Sequence, residues 1–87
     1  MEVKYHKSFI KNYNNRFQGN KNFKFQYEKR LRLFIKTSEN PILKDHALKG
    51  KKIGLRSFSI TGDIRVIYLL KNKIAYFLDI GTHNQVY

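Results

Sequence analysis

Histidine side chains are the groups in this sequence best suited to proton transfer near neutral pH, and there are three, His6, His46 and His83. RNA cleavage needs two such transfers, because the 2′-hydroxyl loses a proton as it attacks phosphorus and the departing 5′-oxygen gains one. A lone histidine is more often an ordinary hydrogen-bonded surface residue. His6 has no neighbours that support a chemical role, so His46 and His83 are the two candidates.

A second feature is a dense group of basic residues in the middle of the chain, namely Lys44, Lys49, Lys51, Lys52 and Arg56. The whole sequence has 18 Lys and Arg against 6 Asp and Glu, a formal net charge of +12. This surplus favours polyanionic partners, because Lys and Arg neutralise phosphates and release their counterions. Charge alone leaves a nucleic acid, an acidic protein and a membrane surface open as partners, and a merely solvated surface remains the alternative.

The remaining candidates are two carboxylates and the last residue. Asp63 lies in a Thr-Gly-Asp segment that is typical of a turn. Asp79 stands in an otherwise apolar strand and needs a partner if it is buried, with Arg65 and Arg56 as candidates. Tyr87 could stack on an exposed RNA base or anchor its end of the chain through apolar contacts.

Composition also excludes several classes of chemistry. The chain has no cysteine, which rules out disulfides, thiol nucleophiles and iron–sulfur clusters. No glycine spacing matches a phosphate-binding loop, and His46, Asp63 and His83 are too scattered to suggest a metal site, so no metal and no cofactor are expected. No apolar run suits a membrane span or a signal peptide, which predicts a cytoplasmic protein with no membrane partner.

The elements that must position these residues change character at the single proline, Pro41. Before it, alternation around Val3 and Tyr5 predicts a short strand. Two stretches with apolar residues at helical spacing follow it, Phe9 to Phe17 and Phe23 to Ile35. The first half therefore predicts one strand and two helices.

After the proline the spacing is that of strands. Strands are predicted over residues 53–60, 64–70 and 74–80, with residues 61–63 as the turn between the first two. The second of these is apolar at nearly every position, which predicts a central strand covered on both faces. The sum predicts a single domain over residues 1–87 with an α+β fold, in which two N-terminal helices pack on an antiparallel sheet of about four strands.

Four segments of the second half occur in an order that resembles a known family. They are Asp-His-Ala-Leu-Lys-Gly at 45–50, Leu-Arg-Ser-Phe-Ser-Ile at 55–60, Asp-Ile-Arg-Val-Ile-Tyr at 63–68 and Gly-Thr-His-Asn-Gln-Val-Tyr at 81–87. Together they resemble the YafQ branch of the RelE/ParE toxin superfamily. The resemblance covers about residues 41–87, and the first half agrees mainly in its layout.

The resemblance implies a toxin of a type II toxin–antitoxin system that cleaves mRNA in the ribosomal decoding site. It implies metal-independent chemistry in which the RNA 2′-hydroxyl is the nucleophile and a 2′,3′-cyclic phosphate remains. The implied fold is RelE-like, which is a microbial-ribonuclease-like sheet with two N-terminal helices. The implied partners are a cognate acidic antitoxin, the ribosome and mRNA.

The matching motifs also imply roles for individual residues. His83 is expected to be the general acid, and His46 or Asp63 the general base or an orienting group. Tyr87 is expected to contact the substrate base, and Arg56 to stabilise the pentavalent phosphorane. The remaining substrate-binding residues are expected to be Lys49, Lys51, Lys52 and Ser59.

The chain departs from the family pattern at Ser57 and Ser59, where YafQ-type toxins typically carry an aspartate and a histidine. This removes one proton carrier, for which Lys51, Lys52 and Arg56 could compensate through their charge. A serine hydroxyl could still hold a substrate oxygen. Two alternatives stay open: a ParE-like toxin that inhibits DNA gyrase without RNA chemistry, and a catalytically weakened toxin that only binds antitoxin or RNA.

Overall fold

A five-stranded sheet and three helices make up the structure, a computed structural model that describes residues 1–87. The elements in chain order are β1 (Glu2–Tyr5), α1 (Lys7–Phe17), α2 (Lys21–Lys36), β2 (His46–Ala47), β3 (Arg56–Ser59), β4 (Ile64–Lys71), β5 (Ile74–Thr82) and α3 (His83–Val86). The spatial order β1-β5-β4-β3-β2 makes β4 the central strand, as its apolar pattern predicts. No helix combines the length and the apolar character needed to cross a membrane.

The predicted α+β fold is confirmed, and the sheet differs from the prediction in two respects. It has five strands rather than about four, because the short strand β2 pairs with β3, with His46 opposite Ser57. It is mixed rather than wholly antiparallel, because β1 runs parallel to β5, with Val3 opposite Ala75. Two parallel strands need a long stretch of chain between them. Between β1 and β5 this stretch contains the helices α1 and α2 and the strands β2, β3 and β4.

Polar side chains determine where the two N-terminal helices begin. The ring Nδ1 of His6 accepts a hydrogen bond from the Ser8 N–H at 3.1 Å, which caps α1. Asn20 caps α2 in the same way, since its Oδ1 accepts from the Phe23 N–H at 2.9 Å. Gly19 joins the helices with a φ of +81°, a conformation that favours glycine. His6 therefore has a structural role.

Both helices pack on one face of the sheet through an aromatic core. Phe34 of α2 stacks on Phe58 of β3 with ring centroids 4.3 Å apart. Phe77 of β5 lies 5.7 Å and 5.6 Å from these two rings. The buried cluster comprises Phe9, Phe17, Phe23, Tyr27, Phe34, Leu43, Phe58, Ile60, Val66, Tyr68, Ala75, Phe77 and Ile80. The aromatic residues of both helices confirm the apolar faces predicted from the spacing, whereas Ile10 and Ile35, which fit the same spacing, are exposed.

The opposite face of the sheet carries the residues that alternate with this core. Ser57 and Ile67 lie opposite each other on β3 and β4, and both are buried without belonging to the aromatic core. Helix α3, which is additional to the two predicted helices, contacts β4 and β5 and buries Val86. These contacts place α3 over the second face, so the prediction that β4 is covered on both sides is confirmed.

Strand β3 begins at Arg56, three residues later than the predicted start at Ile53. Ile53 is 79% exposed, and the following Gly54 has a φ of +91°, which lies outside the strand region. The alternation of Ile53 and Leu55 therefore belongs to a loop. Alternation over so few residues does not distinguish a loop from a strand.

The prediction of Arg65 or Arg56 as the partner of Asp79 is wrong. Oδ1 of Asp79 accepts instead from Arg16 Nη1 at 3.1 Å and from Asn12 Nδ2 at 2.8 Å. Both donors belong to α1. Because α1 packs against β5, which carries Asp79, these donors lie next to the carboxylate.

Candidate active site

Side chains from separate parts of the chain converge on a cleft of about 670 Å³. They come from β2 and the loop after it, from β4, and from α3 with the residue that follows. The lining residues are His46, Leu48, Lys49, Lys51, Lys52, Arg65, His83 and Tyr87. No Asp or Glu is among them, and four of the eight are Lys or Arg, so the side chains of the cleft are strongly basic.

Six of the nine residues predicted for the site line this cleft. They are His46, His83, Tyr87, Lys49, Lys51 and Lys52. His46 lies on the edge strand β2 and His83 directly follows β5, with β3 and β4 between those two strands. Both histidines, although distant in sequence, therefore line one cleft across this part of the sheet. The other three predicted residues lie elsewhere.

Arg56 lies outside the cleft, held by an ion pair. Its Nη2 and Nε lie 2.7 Å and 2.9 Å from Oδ1 of Asp45, and this hydrogen bonding raises the pKa of the guanidinium. Arg56 is opposite Tyr68 in the strand register, so it shares the face on which the helices pack. The predicted role at the phosphorane has no geometric support, because the cleft opens on the other face.

Asp63 and Ser59 are also absent from the cleft lining. Asp63 is exposed in the turn between β3 and β4, where its N–H donates to Thr61 Oγ1 at 3.4 Å. The predicted turn is therefore confirmed. Ser59 is only 5% exposed, and its Oγ accepts from Arg65 Nη1 at 3.3 Å. Ser59 can orient a cleft residue but is too buried to bind substrate directly.

The ring of His46 is oriented by its own backbone neighbour. Its Nδ1 lies 2.8 Å from the carbonyl oxygen of Lys44. A carbonyl oxygen only accepts, so this contact assigns the proton of the neutral ring to Nδ1 and leaves Nε2 as an acceptor. A ring with a free Nε2 is suited to taking a proton from a substrate hydroxyl.

Helix α3 presents His83 and Tyr87 on successive turns. The Tyr87 N–H donates to the His83 carbonyl at 2.9 Å, and the two rings meet edge to face with centroids 4.5 Å apart. At the start of α3 the Thr82 N–H donates to Oε1 of Gln85 at 2.8 Å. A Cβ at Gly81 would lie 2.6 Å from that oxygen, so any larger residue there would displace the Gln85 side chain from this hydrogen bond. The Gly-Thr-His motif thus positions both cleft residues.

Two cleft residues were not predicted from the sequence, the apolar Leu48 and the charged Arg65. Arg65 stands in β4 and alternates with Val66, which belongs to the aromatic core, so its side chain lies on the cleft face. The one available signal was that Arg65 is the only charged residue between Ile64 and Leu70. A cation on a strand expected to be covered on both faces indicates an opening over that strand.

The cleft concentrates positive charge on side chains that form no ion pair within the protein. The four cations that line it are Lys49, Lys51, Lys52 and Arg65. The two ion pairs of the protein, Arg16–Asp79 and Arg56–Asp45, use none of them. Low-dielectric walls focus such a field, so the cleft is suited to a chain of phosphates.

Replacing Ser57 with alanine is expected to leave the free energy of unfolding unchanged or to raise it by about 1 kcal/mol. The Ser57 hydroxyl is fully buried and has no hydrogen-bond partner, so its removal takes away an uncompensated desolvation cost. Urea unfolding measures the change. Ser59→Ala is the matched control and should lose about 1 kcal/mol, because its hydroxyl bonds Arg65. A clear loss of stability in Ser57→Ala would contradict this expectation and show that the Ser57 hydroxyl has a hydrogen-bond partner.

Comparison with known proteins adds an independent observation. The family model described as "Bacterial toxin of type II toxin-antitoxin system, YafQ" matches residues 1–87. None of the curated proteins compared with the chain matches it.

Solved structures share the fold over nearly the whole chain. A YafQ mutant from E. coli has a TM-score of 0.81 at 23% identity, covering 99% of this chain and 97% of that one. A copper-bound mutant toxin from Helicobacter pylori has a TM-score of 0.78 at 29% identity, covering 100% and 99%. The E. coli DinJ–YafQ complex has a TM-score of 0.78 at 24% identity, covering 99% and 97%. By the family match over its whole length, the chain belongs to the YafQ family of bacterial toxins of type II toxin–antitoxin systems.

Proposed function

We propose that this toxin is an endoribonuclease that cleaves mRNA on the ribosome and thereby inhibits translation. The observation that carries the proposal is the convergence of two histidines, one arginine and three lysines on one cleft that has no Asp or Glu side chain in its lining. RNA cleavage by the substrate's own 2′-hydroxyl needs a base, an acid and cations around the phosphate, and this set supplies all three. One aromatic core joins the helices to the sheet, which supports a single toxin domain over residues 1–87.

In the proposed mechanism, Nε2 of His46 takes the proton of the 2′-hydroxyl, and the 2′-oxygen attacks the adjacent phosphorus. Arg65 stabilises the charge that develops on the phosphorane oxygens, in place of the role first expected for Arg56. His83 gives a proton to the departing 5′-oxygen as the phosphorus–oxygen bond breaks. The products are a 2′,3′-cyclic phosphate and a 5′-hydroxyl. No step requires a metal ion.

The other cleft residues bind and orient the substrate in this mechanism. Lys49, Lys51 and Lys52 contact phosphates on either side of the scissile bond. Tyr87 stacks on a nucleobase of the RNA. Because the Tyr87 ring contacts the His83 ring edge to face, this stacking positions the nucleobase relative to the general acid His83. Ser59 holds the guanidinium of Arg65 through its hydroxyl, so the serine that stands in place of the family's histidine acts on the site indirectly.

The proposed partners are the ribosome with its mRNA and a cognate acidic antitoxin. The E. coli relative YafQ forms a complex with DinJ, which supports an antitoxin for this chain as well. The net charge of +12 favours both ribosomal RNA and an acidic protein. Action on the ribosome places the toxin in the cytoplasm.

The test is to add the purified protein to ribosomes programmed with a defined mRNA and to map cleavage by primer extension. Free mRNA at the same concentration is the control. The proposal expects cuts on the ribosome-bound mRNA and none on the free mRNA. Intact ribosome-bound mRNA at stoichiometric toxin would reject it.

Growth arrest in cells separates the proposal from the ParE-like alternative. The double variant His46→Ala, His83→Ala should no longer arrest growth, because both proton carriers are absent. Unchanged arrest by this variant would favour inhibition of DNA gyrase, which needs neither histidine. A folded wild-type protein that causes no arrest would favour the weakened toxin.

The affinity for the antitoxin is expected to fall as salt rises. Unpaired cations attract an acidic partner, and ions screen that attraction over about 10 Å at 0.1 M salt. We expect the association rate to drop about 10-fold or more between low and high salt, with a smaller change in the dissociation rate, because buried apolar contacts are not screened. Surface plasmon resonance across a salt series measures both rates. An association rate independent of salt would contradict the electrostatic account.

A further inference from the structure

The carboxylate of Asp45, the residue before His46, is clamped by two strands of the sheet. Its side chain is only 7% exposed. Oδ1 accepts a hydrogen bond from Nε of Arg56 on β3 at 2.9 Å and lies 2.7 Å from Nη2 in the same ion pair. Its Oδ2 accepts from the hydroxyl of Tyr68 on β4. Burial, together with this hydrogen bond, raises the pKa of Tyr68, so the phenol remains a donor. Both carboxylate oxygens are therefore occupied.

The residue on the other side of Asp45 has an unusual backbone. Lys44 has φ 51° and ψ 38°, the left-handed conformation that residues other than glycine rarely adopt. It lies between two anchored residues, since Leu43 is fully buried in the core and Asp45 is clamped. The carbonyl oxygen of Lys44 then lies 2.8 Å from Nδ1 of His46.

We propose that Asp45 is a positioning residue for His46, acting through the left-handed turn at Lys44. The clamp on Arg56 and Tyr68 holds the turn, and the turn directs the Lys44 carbonyl at Nδ1. This fixes the ring in the tautomer that carries its proton on Nδ1 and keeps Nε2 free to accept. The catalytic consequence rests on the proposed function, whereas the tautomer itself does not.

The first measurement therefore needs no ribosome. Nitrogen-15 NMR of the imidazole rings, at a pH where they are neutral, distinguishes a proton on Nδ1 from one on Nε2. In the wild type, His46 should carry the proton on Nδ1. In Asp45→Asn this preference should weaken toward the mixture of an unrestrained ring, because an amide cannot hold Arg56 and Tyr68 as the carboxylate does. Asp79→Asn removes the other Arg–Asp pair and is the matched control, in which His46 should not change.

The second measurement is cleavage of ribosome-bound mRNA. Asp45→Asn should lower kcat by about 10- to 100-fold, with little change in KM, since a displaced base slows the chemical step. In the His46→Ala background the same change should have no further effect, because Asp45 acts through His46. If Asp45→Asn acted only by disturbing the structure, it would lower kcat by the same factor in the wild type and in the His46→Ala background.

Two results would overturn the inference. One is an identical His46 spectrum in the wild type and Asp45→Asn, and the other is an equal loss of kcat from Asp45→Asn with and without His46. If Asp45→Asn does not fold, Tyr68→Phe keeps the ion pair, removes one hydrogen bond and is judged by the same criteria. A wild type that leaves ribosome-bound mRNA intact would reject the endonuclease proposal, and the NMR comparison alone would then decide the inference.

Discussion

Replacing His83 with alanine is expected to lower the rate of mRNA cleavage on the ribosome by about 10²- to 10⁴-fold. His83 and His46 both line the cleft, and the remaining basic lining residues are lysines and Arg65, which are poorer proton donors near neutral pH. Without His83 the 5′-oxygen must leave as an alkoxide or take its proton from water. Single-turnover cleavage measured by primer extension gives the rate. The substitution removes an exposed side chain, so thermal unfolding should change little.

His6→Asn is the matched control for His83→Ala. It also removes an imidazole, but from the cap of α1, and asparagine can still accept the hydrogen bond from the Ser8 N–H. Its cleavage rate should equal that of the wild type. Cleavage retained in His83→Ala would contradict the assignment of the general acid and would transfer that role to Lys51 or Lys52.

Replacing Arg65 with methionine is expected to lower kcat by about 10²- to 10³-fold, the usual loss when one donor to a developing oxyanion is removed. Arg65 is the guanidinium on the cleft face of the central strand, oriented by Ser59 at 3.3 Å, whereas Arg56 is occupied by Asp45. Methionine preserves most of the aliphatic length, so the effect reports the lost charge and hydrogen bonds. Steady-state cleavage at varied ribosome concentration separates kcat from KM.

Arg32→Met is the control for Arg65→Met, because it changes the net charge equally on the exposed side of α2. It should leave kcat unchanged and at most raise KM, since a distant cation contributes only to long-range attraction. Equal losses in the two variants would show that Arg65 contributes general charge rather than a contact with the reacting phosphate. A normal kcat in Arg65→Met would remove it from the mechanism.

The two serines bear on whether the toxin is active at all. Ser57 is fully buried with an unpaired hydroxyl, so it cannot replace a catalytic carboxylate. Ser59 bonds Arg65 and leaves the two cleft histidines as the proton carriers. The arrangement therefore still contains one acid and one base, and the predicted effect of His83→Ala tests whether that pair is sufficient.

Local sequence determined most of the elements and part of the site. The helical spacing of Phe9 to Phe17 and the apolar run from residue 64 to 70 correspond to α1 and β4, because such periodicities reflect which side of a single element is buried. The ordered motifs of the second half pointed to His46 and His83, and both line the cleft. A helix of one turn and a strand of two residues, α3 and β2, carry too few residues for a period and were missed.

Only the tertiary structure decided which arginine meets the cleft. Arg56 and Arg65 both lie at the beginnings of strands, and the sequence suggested Arg56 because it opens the strand that was expected to carry the site. Strand register places Arg56 opposite Tyr68 on the helix side and Arg65 opposite Ser59 on the cleft side. Side chains alternate between the two faces of a sheet. The face that each arginine occupies is therefore set by the start of β3 at Arg56, rather than at Ile53, and by the register of β3 with β4. Composition and spacing determine that the protein is a basic α+β domain with two candidate histidines. Pairing between strands that are distant in sequence determines which cations share the cleft with those histidines. The reason is that register is a property of contacts between segments and not of any one segment.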